Sequence, residues 1–488
     1  MECDEIKRII SRRNMLRRAA AASGLAAIFK ATEASSSAQQ AAGGRGGGGR
    51  GGAPVHYGPL NKYSSPSDLR ITDMRAVTVA SNFDYNIIKV DTNQGVYGLG
   101  EVRDGGSKGT ALDMKPLLVG RNPLDISGIL QSVRPYAGNG RQGGGYSAID
   151  TALHDITGKV FAVPAWRLLG DKKRDRVRMY CDTTGSTDPK EYGQRMAARK
   201  KLGFTFFKMD MRWGTVGDHA DAFNQFGILT DKGLGYAGEL VAGVKDAIGW
   251  DQPLAVETSG NMKPGYPGAP SMLPVKDAIR FAKFYEKFDL AWLEDLFNAG
   301  SVWYWQGYKA VRDATTTKIL TGEDGFGLEE CFQALIDNKA VDVVHPDPGT
   351  SGQCRETKRI AEYATAHHIG VAFHMAGSPL GTLSAVHCAA TLSSFLAMEC
   401  HAIDFMSWWQ ELVTGIPKPI INQGHITVPD TVGIGIELNE PVIKEHLRVP
   451  GYFEPTPEFD NFQRGTRGPF PHFDEFGKWV NATESYDK

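Results

Sequence analysis

The sequence is poor in the features that mark several common protein classes. Its 488 residues contain six cysteines without a Cys-x-x-Cys pair, so neither a zinc site nor a redox motif is indicated. The formal net charge of −2 gives no reason to expect nucleic-acid binding. No apolar run after residue 38 is long enough to span a membrane, so membrane insertion of the mature chain is not expected. A dinucleotide-binding sheet and a metal-dependent hydrolase are disfavoured, because no Gly-x-Gly-x-x-Gly opens a helix and neither His-x-His nor His-Glu-x-x-His occurs.

The first 65 residues differ in composition from the rest. The pair Arg12-Arg13 precedes an apolar stretch of small residues, 19–29, and small-residue cleavage sites up to residue 38. Residues 1–38 resemble a bacterial twin-arginine export signal, which predicts a periplasmic or exported protein. A disordered basic tail is the alternative. Residues 39–65 are rich in glycine and arginine and predict a flexible linker.

The folded part is expected to begin at residue 66. Near residue 176 the predicted order of secondary-structure elements changes to an alternation of strands and helices. Residues 66–175 read as a β-hairpin region, 71–100, followed by helices that include an amphipathic one at 147–159. Between 176 and 415, strand and helix candidates alternate. The strand candidates are 177–181, 204–209, 254–256, 291–293, 319–320, 341–344, 370–373 and 396–398. Eight strands that alternate with helices predict a parallel barrel rather than an open sheet. Residues 416–488 are irregular and are expected to pack back on the N-terminal domain.

Two insertions interrupt the alternation. Residues 213–238 follow the second barrel strand and residues 260–274 follow the third, and both are rich in glycine or proline. Loops at that end of a barrel shape substrate access, although simple surface decoration is an equal alternative.

Three carboxylates close three successive apolar runs. Glu257, Glu294 and Glu323 are separated by 37 and 29 residues, which is enough for one strand and one helix each time. In a parallel barrel such positions converge at one face, where an active site lies. Clustered carboxylates favour a hard divalent cation, and Mg²⁺ is the first candidate. The alternative is that each glutamate caps a helix.

The next strand ends supply an acid/base pair. Asp347 and His374 lie 27 residues apart at the ends of neighbouring strands. An aspartate that accepts a hydrogen bond from one ring nitrogen makes the other nitrogen more basic, so His374 is a candidate general acid/base. His345 is a rival beside Asp347. Glu399, at the end of the eighth strand, is a candidate for contact with a substrate oxygen or for a salt bridge.

The second barrel strand carries Lys208 and Asp210 on one face. Near a metal cluster a lysine can have a lowered pKa and act as a base, or it can bind a substrate carboxylate.

Several short motifs, each weak alone, occur in an order and spacing that are specific together. They are Ser147-Ala-Ile-Asp150 with Gly158-Lys159, Trp292-Leu-Glu-Asp295, Thr321-Gly-Glu323, Pro346-Asp347 with Gly352, His374, and Ile434-Gly-Ile-Glu-Leu438. With these motifs, the chain resembles the mandelate racemase/muconate lactonizing enzyme group of the enolase superfamily from about Ile71 to its C-terminus.

The resemblance implies an α/β fold, a (β/α)₇β modified TIM barrel under an α+β N-terminal capping domain that the C-terminal segment completes. It implies Mg²⁺ held by Glu257, Glu294 and Glu323, which chelates a substrate carboxylate and stabilises an enediolate formed by removal of the α-proton. It also implies a homo-oligomer.

The resemblance assigns further roles. His374 and Asp347 match the catalytic dyad of the family, and Glu399 matches a residue that helps to stabilise the enediolate. Loops of the capping domain near residues 81–85 and 139–146 set specificity in the family. Tyr85 and Tyr146 in these loops are therefore candidate substrate-binding residues. Asp210, on the second barrel strand, is a third.

Two departures from the family pattern bear on the reaction. Lys208-x-Asp210 stands where the family has Lys-x-Lys, which puts a two-base racemase in doubt. Glu257-Thr-Ser259 stands where Asp-Ala-Asn is usual, so the metal surroundings differ. The first choice is therefore a one-base dehydratase of an acid sugar. The alternatives are a carboxylate racemase or epimerase with Lys208 as second base, and a non-catalytic exported sugar- or metal-binding barrel.

Overall fold

A computed structural model of the chain describes residues 66–81, 83–138, 140–211, 213–216, 219–258, 270, 272–401, 406–461, 472–473 and 479–480. The export signal and linker predicted over residues 1–65 lie outside these residues, as does most of the insertion predicted at 260–274. Among the described helices, none combines the length and apolarity needed to cross a membrane.

The N-terminal domain starts with a three-stranded antiparallel sheet. Its strands, β1 (Ile71–Val79), β2 (Tyr85–Thr92) and β3 (Tyr97–Val102), pair in sequence order. Gly95 in the turn between β2 and β3 has a φ of +79°, which glycine adopts without strain. The strands and the turn predicted over residues 71–100 are therefore present.

Four helices follow this sheet. They are α1 (Gly109–Leu112), α2 (Ile126–Val133), α3 (Gly144–Phe161) and α4 (Ala165–Leu169). The long helix α3 packs directly against β3. A Cβ atom at Gly98 would lie 2.1 Å from the Ala152 carbonyl oxygen, and one at Gly100 would lie 2.0 Å from that of Ala148. Glycine at these two positions is what lets the helix approach the strand so closely.

Eight parallel strands form the barrel. They are β4 (Arg176–Thr183), β5 (Phe207–Asp210), β6 (Leu254–Glu257), β7 (Trp292–Glu294), β8 (Ile319–Thr321), β9 (Val343–Val344), β10 (Gly370–Val371) and β11 (Met398–Cys400). Sequential strands pair from β4 to β10, and β11 pairs with β4. A parallel bridge between Phe373 and Met398 joins β10 to β11 and closes the ring. The predicted barrel fold is confirmed.

Helices connect the barrel strands. They are α5 (Pro189–Lys201), α6 (Trp213–Val216), α7 (Asp231–Ile248), α8 (Val275–Tyr285), α9 (Trp305–Arg312), α10 (Gln333–Asp337), α11 (Pro348–Ser351), α12 (Gln353–Ala366) and α13 (Pro379–Thr391). Asp188 and Ser378 cap α5 and α13 through their side chains, so that proline can occupy the first turn. The insertion predicted at 213–238 is partly helical, because Thr230 caps α7 inside it.

Apolar side chains fill the lower part of the barrel interior. One buried cluster contains a residue from each strand or from directly beside one of its ends: Tyr180, Phe206, Ala255, Trp292, Leu320, Val343, Ala372 and Ala397. Side chains alternate between the two faces of a strand, so the residues two positions later also point into the barrel, nearer its C-terminal end.

The C-terminal segment contacts both domains. Its elements are β12 (Val413–Thr414), β13 (His425–Thr427), β14 (Glu437–Leu438), α14 (Glu440–Glu445), β15 (His472–Phe473) and β16 (Trp479–Val480). Strand β13 pairs antiparallel with the start of β4, and the amide of Ile434 donates a hydrogen bond to Asp155 of α3. The described part of the segment thus contacts both the N-terminal domain and the barrel.

Candidate active site

Titratable side chains replace the apolar layer two residues further along the strands. These positions hold Asp182, Lys208, Glu257, Glu294, Gly322, His345, His374 and Glu399. All of these residues except Gly322 are buried polar or charged residues. The chemistry of the molecule is therefore concentrated at the C-terminal mouth of the barrel, where active sites of this architecture lie.

The exception at β8 has a steric cause. Gly322 has a φ of +143°, and a Cβ atom there would lie 2.7 Å from the Phe332 ring and 3.1 Å from the His345 backbone. A side chain at this position is excluded. The carboxylate of this strand is instead supplied by the next residue, Glu323.

Two of the three glutamates predicted to bind metal, Glu294 and Glu323, come together with Asp295. Oxygen atoms of Glu294, Asp295 and Glu323 all lie within 4.8 Å of one another. Glu257 is linked to the group through Lys208, whose Nζ lies 3.0 Å from Glu257 Oε2 and 2.7 Å from Glu294 Oε1. Acidic residues are thus placed to bind a metal.

The donor set suits a hard cation. In the group of Glu294, Asp295 and Glu323 every ligand atom is a carboxylate oxygen, and within the described residues Asp295 Oδ2 has no hydrogen-bond partner. Burial raises the pKa of Glu294 and Asp295 well above the usual range and that of Glu323 to about 7. Carboxyl groups in this state require either protons or a cation. Asp295 was not predicted as a ligand, although it directly follows Glu294 in a motif that the sequence shows.

Lys208 is fully buried among carboxylates. Its ammonium group contacts Glu257, Glu294 and Glu399, the last at 2.8 Å. Burial by itself would lower the pKa of Lys208, but attraction from these three carboxylates outweighs it and raises the pKa well above the usual value. This direction is opposite to the lowered pKa that the sequence suggested, because the neighbours that were expected to bind metal also hold the lysine.

His374 and Asp347 form the expected pair. His374 Nδ1 lies 2.5 Å from Asp347 Oδ2, and its Nε2 lies 3.3 Å from Glu323 Oε2. Burial and the neighbouring Arg103 lower the pKa of His374 well below its usual value, which favours the neutral imidazole. Burial raises the pKa of Asp347 to about 6, although Arg103 opposes this rise. The second ring nitrogen of His374 therefore faces the carboxylate cluster as a potential base.

Two arginines of the N-terminal domain reach the same place. Arg103 follows β3 directly; it lies 3.3 Å from Asp347 Oδ2 and donates from Nε to Thr350 Oγ1 at 2.8 Å. Arg141 NH2 donates to Glu323 Oε1 at 3.1 Å. Neither arginine was predicted individually, and Arg141 lies within the loop at 139–146 that was expected to set specificity.

Glu399 accepts hydrogen bonds from three side chains. Tyr180 donates to Oε2 at 2.8 Å, while Lys208 and His401 Nε2 lie 2.8 and 2.7 Å from Oε1. Burial would raise the pKa of Glu399, but Lys208 and the nearby histidines lower it well below the usual value. Glu399 is therefore an anion that accepts hydrogen bonds from its neighbours.

His345 is buried deeper, between other side chains. Its Nε2 lies 2.6 Å from the Tyr180 hydroxyl and its Nδ1 lies 3.5 Å from Glu294 Oε1. Burial lowers its pKa to about 3. This neutral, enclosed histidine supports the cluster and is a poorer candidate for the acid/base role than His374.

The candidate substrate-binding residues are dispersed. Asp210 lies at the rim, directly opposite Glu257 in the strand register. Tyr85 is buried at the start of β2, beside Ser81 and Glu101. Tyr146 packs edge-on against Phe326, with ring centroids 5.4 Å apart, and borders a groove with Arg134. The structure thus places Asp210 beside the cluster, whereas the described contacts of Tyr146 lie away from it.

Comparisons with known proteins agree with this geometry. Residues 66–170 match the mandelate racemase/muconate lactonizing enzyme N-terminal domain, and residues 191–442 match the enolase C-terminal domain-like family. The chain is 33% identical over 394 residues to D-xylonate dehydratase of Haloferax volcanii, covering 78% of this chain and 89% of that protein. It is 28% identical to a D-galactonate dehydratase family member of Musicola paradisiaca, covering 78% of this chain and 94% of the relative.

A solved structure shows the same architecture. The crystal structure of a mandelate racemase/muconate lactonizing enzyme-like protein from Rubrobacter xylanophilus superposes with a TM-score of 0.70 at 29% identity. The match covers 79% of this chain and 99% of that protein.

Proposed function

The chain belongs to the mandelate racemase/muconate lactonizing enzyme group of the enolase superfamily, and we propose that it is a Mg²⁺-dependent dehydratase of acid sugars. One observation carries the proposal: His374, paired with Asp347, directs its second ring nitrogen at the carboxylate cluster. The names of the dehydratase relatives support the class of reaction.

Glu257, Glu294 and Glu323 would hold the metal, with Asp295 beside them. The buried all-oxygen donor set favours Mg²⁺ over softer metals. When bound, Mg²⁺ supplies positive charge beside a substrate carboxylate, where negative charge develops as the α-proton leaves.

The side chains of the protein account for the proton transfer. His374 Nε2 takes the proton from the α-carbon, and Asp347 holds the ring by Nδ1 and stabilises the imidazolium that forms. Arg103 fixes Asp347 from the N-terminal domain. Loss of the β-hydroxyl from the resulting enediolate gives an enol, which becomes a 2-keto-3-deoxy acid.

The state of Lys208 disfavours the epimerase alternative. An epimerase needs a second base on the opposite side of the substrate, and the candidate was Lys208. Lys208 instead contacts three carboxylates, an arrangement that orients it toward them. Asp210 stands where the family pattern has a second lysine, which favours a route with a single base.

Product analysis tests the proposed function. The purified protein with Mg²⁺ is incubated with a panel of aldonates and aldarates that includes D-xylonate and D-galactonate, and 2-keto acids are measured as semicarbazones. We expect a keto acid whose mass is lower by one water and whose formation stops with EDTA. Recovery of an isomer of unchanged mass would instead support the epimerase, and recovery of every substrate unchanged would support the non-catalytic barrel.

We also propose that residues 1–38 direct export, as the twin-arginine pair predicts. Replacing both Arg12 and Arg13 with lysine should retain the protein in the cytoplasm of a bacterial host, as measured by cell fractionation. Equal export of this variant and the wild type would contradict the proposal.

A further inference from the structure

The barrel mouth holds a second histidine–aspartate pair beside the first. His401 follows β11, and its Nδ1 lies 3.3 Å from Oδ2 of Asp182 on the adjacent strand β4. The first pair, His374 and Asp347, comes from the ends of β10 and β9. The two pairs therefore occupy four consecutive strands of the barrel, and the rings of His374 and His401 lie 5.7 Å apart between centroids.

The proton on Nε2 of His401 can be given up at little cost to its neighbours. That nitrogen lies 2.7 Å from Glu399 Oε1, which also accepts from Lys208 at 2.8 Å. The other oxygen of Glu399 accepts from Tyr180. If His401 turns its proton to a substrate, Glu399 keeps two donors and is not left as an unpaired buried charge.

His401 also lies at the opening of the site. Its side chain is 12% exposed, whereas that of Lys208 below it is completely buried. Phe83, in the N-terminal loop between β1 and β2, meets the His401 ring edge-on at 6.1 Å. A substrate held between this loop and the carboxylate cluster would contact the ring.

The charged groups around His401 favour its protonated form. Burial lowers the pKa of His401, but Asp182 and Glu399 outweigh that effect, and the opposing charge of Lys208 leaves the pKa at about 9. Among the described residues, His374 is a further titratable group against the ring. His401 is therefore held with a proton available to donate, as a general acid requires.

We propose that His401, oriented by Asp182, is a second catalytic acid of this site and donates its Nε2 proton to the departing β-hydroxyl group. This inference rests on the proposed dehydration. The α-carbon–hydrogen bond breaks toward His374 Nε2, the carbon–oxygen bond at the β-carbon breaks, and water leaves with the proton of His401. The enol then becomes the keto acid through exchange of protons with solvent. His374 returns its proton to solvent and His401 regains one, so the cycle closes.

The test separates the two proton transfers in His401→Asn. With D-xylonate and D-galactonate in D₂O, NMR measures exchange of the α-hydrogen and release of keto acid as two rates. We expect His401→Asn to keep α-exchange within about threefold of wild type and to lose about 10²- to 10⁴-fold in dehydration. His374→Asn should lose both. His425→Asn, which lies outside the barrel on β13, is the matched control and should change neither.

A substrate with a better leaving group sharpens the result. Fluoride departs with less need of an acid, so His401→Asn should release fluoride from 3-deoxy-3-fluoro analogues within about tenfold of the wild-type rate. Circular dichroism checks the fold. If His401→Asn is unfolded, Asp182→Asn carries the same test and should show a smaller loss in dehydration with α-exchange retained.

Three results would overturn the inference. Dehydration by folded His401→Asn within tenfold of wild type would show that no proton from His401 is needed. Loss of α-exchange together with dehydration, or no gain with the fluoro analogue, would assign the residue a different role. Absence of turnover by the wild-type protein would overturn the proposed function itself, and is distinguished because it does not depend on any variant.

Discussion

The two layers of the barrel interior stand on the same strands, two residues apart, and differ completely in chemistry. The lower layer is an apolar cluster of aromatic and aliphatic side chains, such as Trp292 and Leu320. The upper layer holds lysine, histidine and carboxylates that are equally buried, such as Glu294 and His374. Burial alone therefore does not identify a core position in this molecule.

Stability and function therefore depend on different layers of the barrel interior. Apolar contacts in the lower layer contribute to folding in proportion to the area removed from water. Charges in the upper layer are costly to desolvate and are tolerated because they are paired with one another or with a cation. Changes in the lower layer should affect stability, and changes in the upper layer should affect catalysis and ion binding.

The largest effect is expected for Glu294→Gln. This change removes one anionic oxygen from the carboxylate cluster and keeps the shape of the side chain. We expect a loss of about 10³-fold in kcat/KM, because the charge that faces the developing transition state is weakened. Calorimetric titration should show weaker Mg²⁺ binding. Glu445→Gln, in α14, serves as the control, and unchanged Mg²⁺ binding by Glu294→Gln would contradict the assignment of the metal site.

Lys208→Met tests how the upper layer is held together. Removal of the ammonium group leaves three buried carboxylates without their partner, which should cost about 3–5 kcal/mol of unfolding free energy. Urea unfolding in the presence of EDTA measures this loss of unfolding free energy. Lys245→Met is the matched control: this buried lysine contacts only backbone carbonyls in its described hydrogen bonds, so we expect about 1–3 kcal/mol. Equal losses for the two variants would argue against a charge-paired upper layer.

Leu320→Ala tests the lower layer. Truncation of this fully buried side chain should cost about 2–5 kcal/mol of unfolding free energy, through lost burial and a cavity. The kcat of the folded fraction should stay within about threefold of wild type, because the side chain carries no charge toward the site. A fall in kcat as large as that of Glu294→Gln would show that the two layers cannot be separated.

The final expected effect is a pH dependence of stability, which arises from His401. In the folded protein its pKa is about 9, raised by Asp182 and Glu399 against the effects of burial and of Lys208, whereas in the unfolded chain it is about 6.5. The stabilisation is complete below pH 6.5 and is lost as the pH rises toward 9. In that window the unfolding free energy should fall by at most about 1.4 kcal/mol per pH unit.

His401→Asn should flatten this slope in urea unfolding measured at several pH values. Within the described part of the chain, the His374 ring also lies against His401, and the pKa of His374 lies below this window. An unchanged slope in the variant would mean that His401 is not protonated in the folded state.

Local pattern predicted most of the architecture. Strand and helix positions between residues 176 and 400 followed from alternation and helical spacing, with differences of a few residues at their ends; the second strand, expected at 204–209, is Phe207–Asp210. The convergence of Glu257, Glu294 and Glu323 followed from the geometry of parallel strands. These features depend on interactions that are local in sequence or repeat with each strand.

Features that depend on docking between domains were not predicted. Arg103 donates to Thr350, 247 residues away in the sequence. A local sequence pattern cannot predict a contact between residues so far apart. Tyr146 was expected near substrate but packs against Phe326. His401 was overlooked although it lies two residues after Glu399, so the same alternation that places Glu399 in the barrel could have found it.

The most direct test of the account is α-hydrogen exchange and product formation in D₂O, compared between wild type and His374→Asn by NMR with Mg²⁺ and acid sugars. We expect the wild type to form a 2-keto-3-deoxy acid with solvent deuterium at C3. We expect folded His374→Asn to give neither exchange nor product while still binding Mg²⁺. Exchange and dehydration by His374→Asn at the wild-type rate would contradict the central claim that this histidine removes the α-proton.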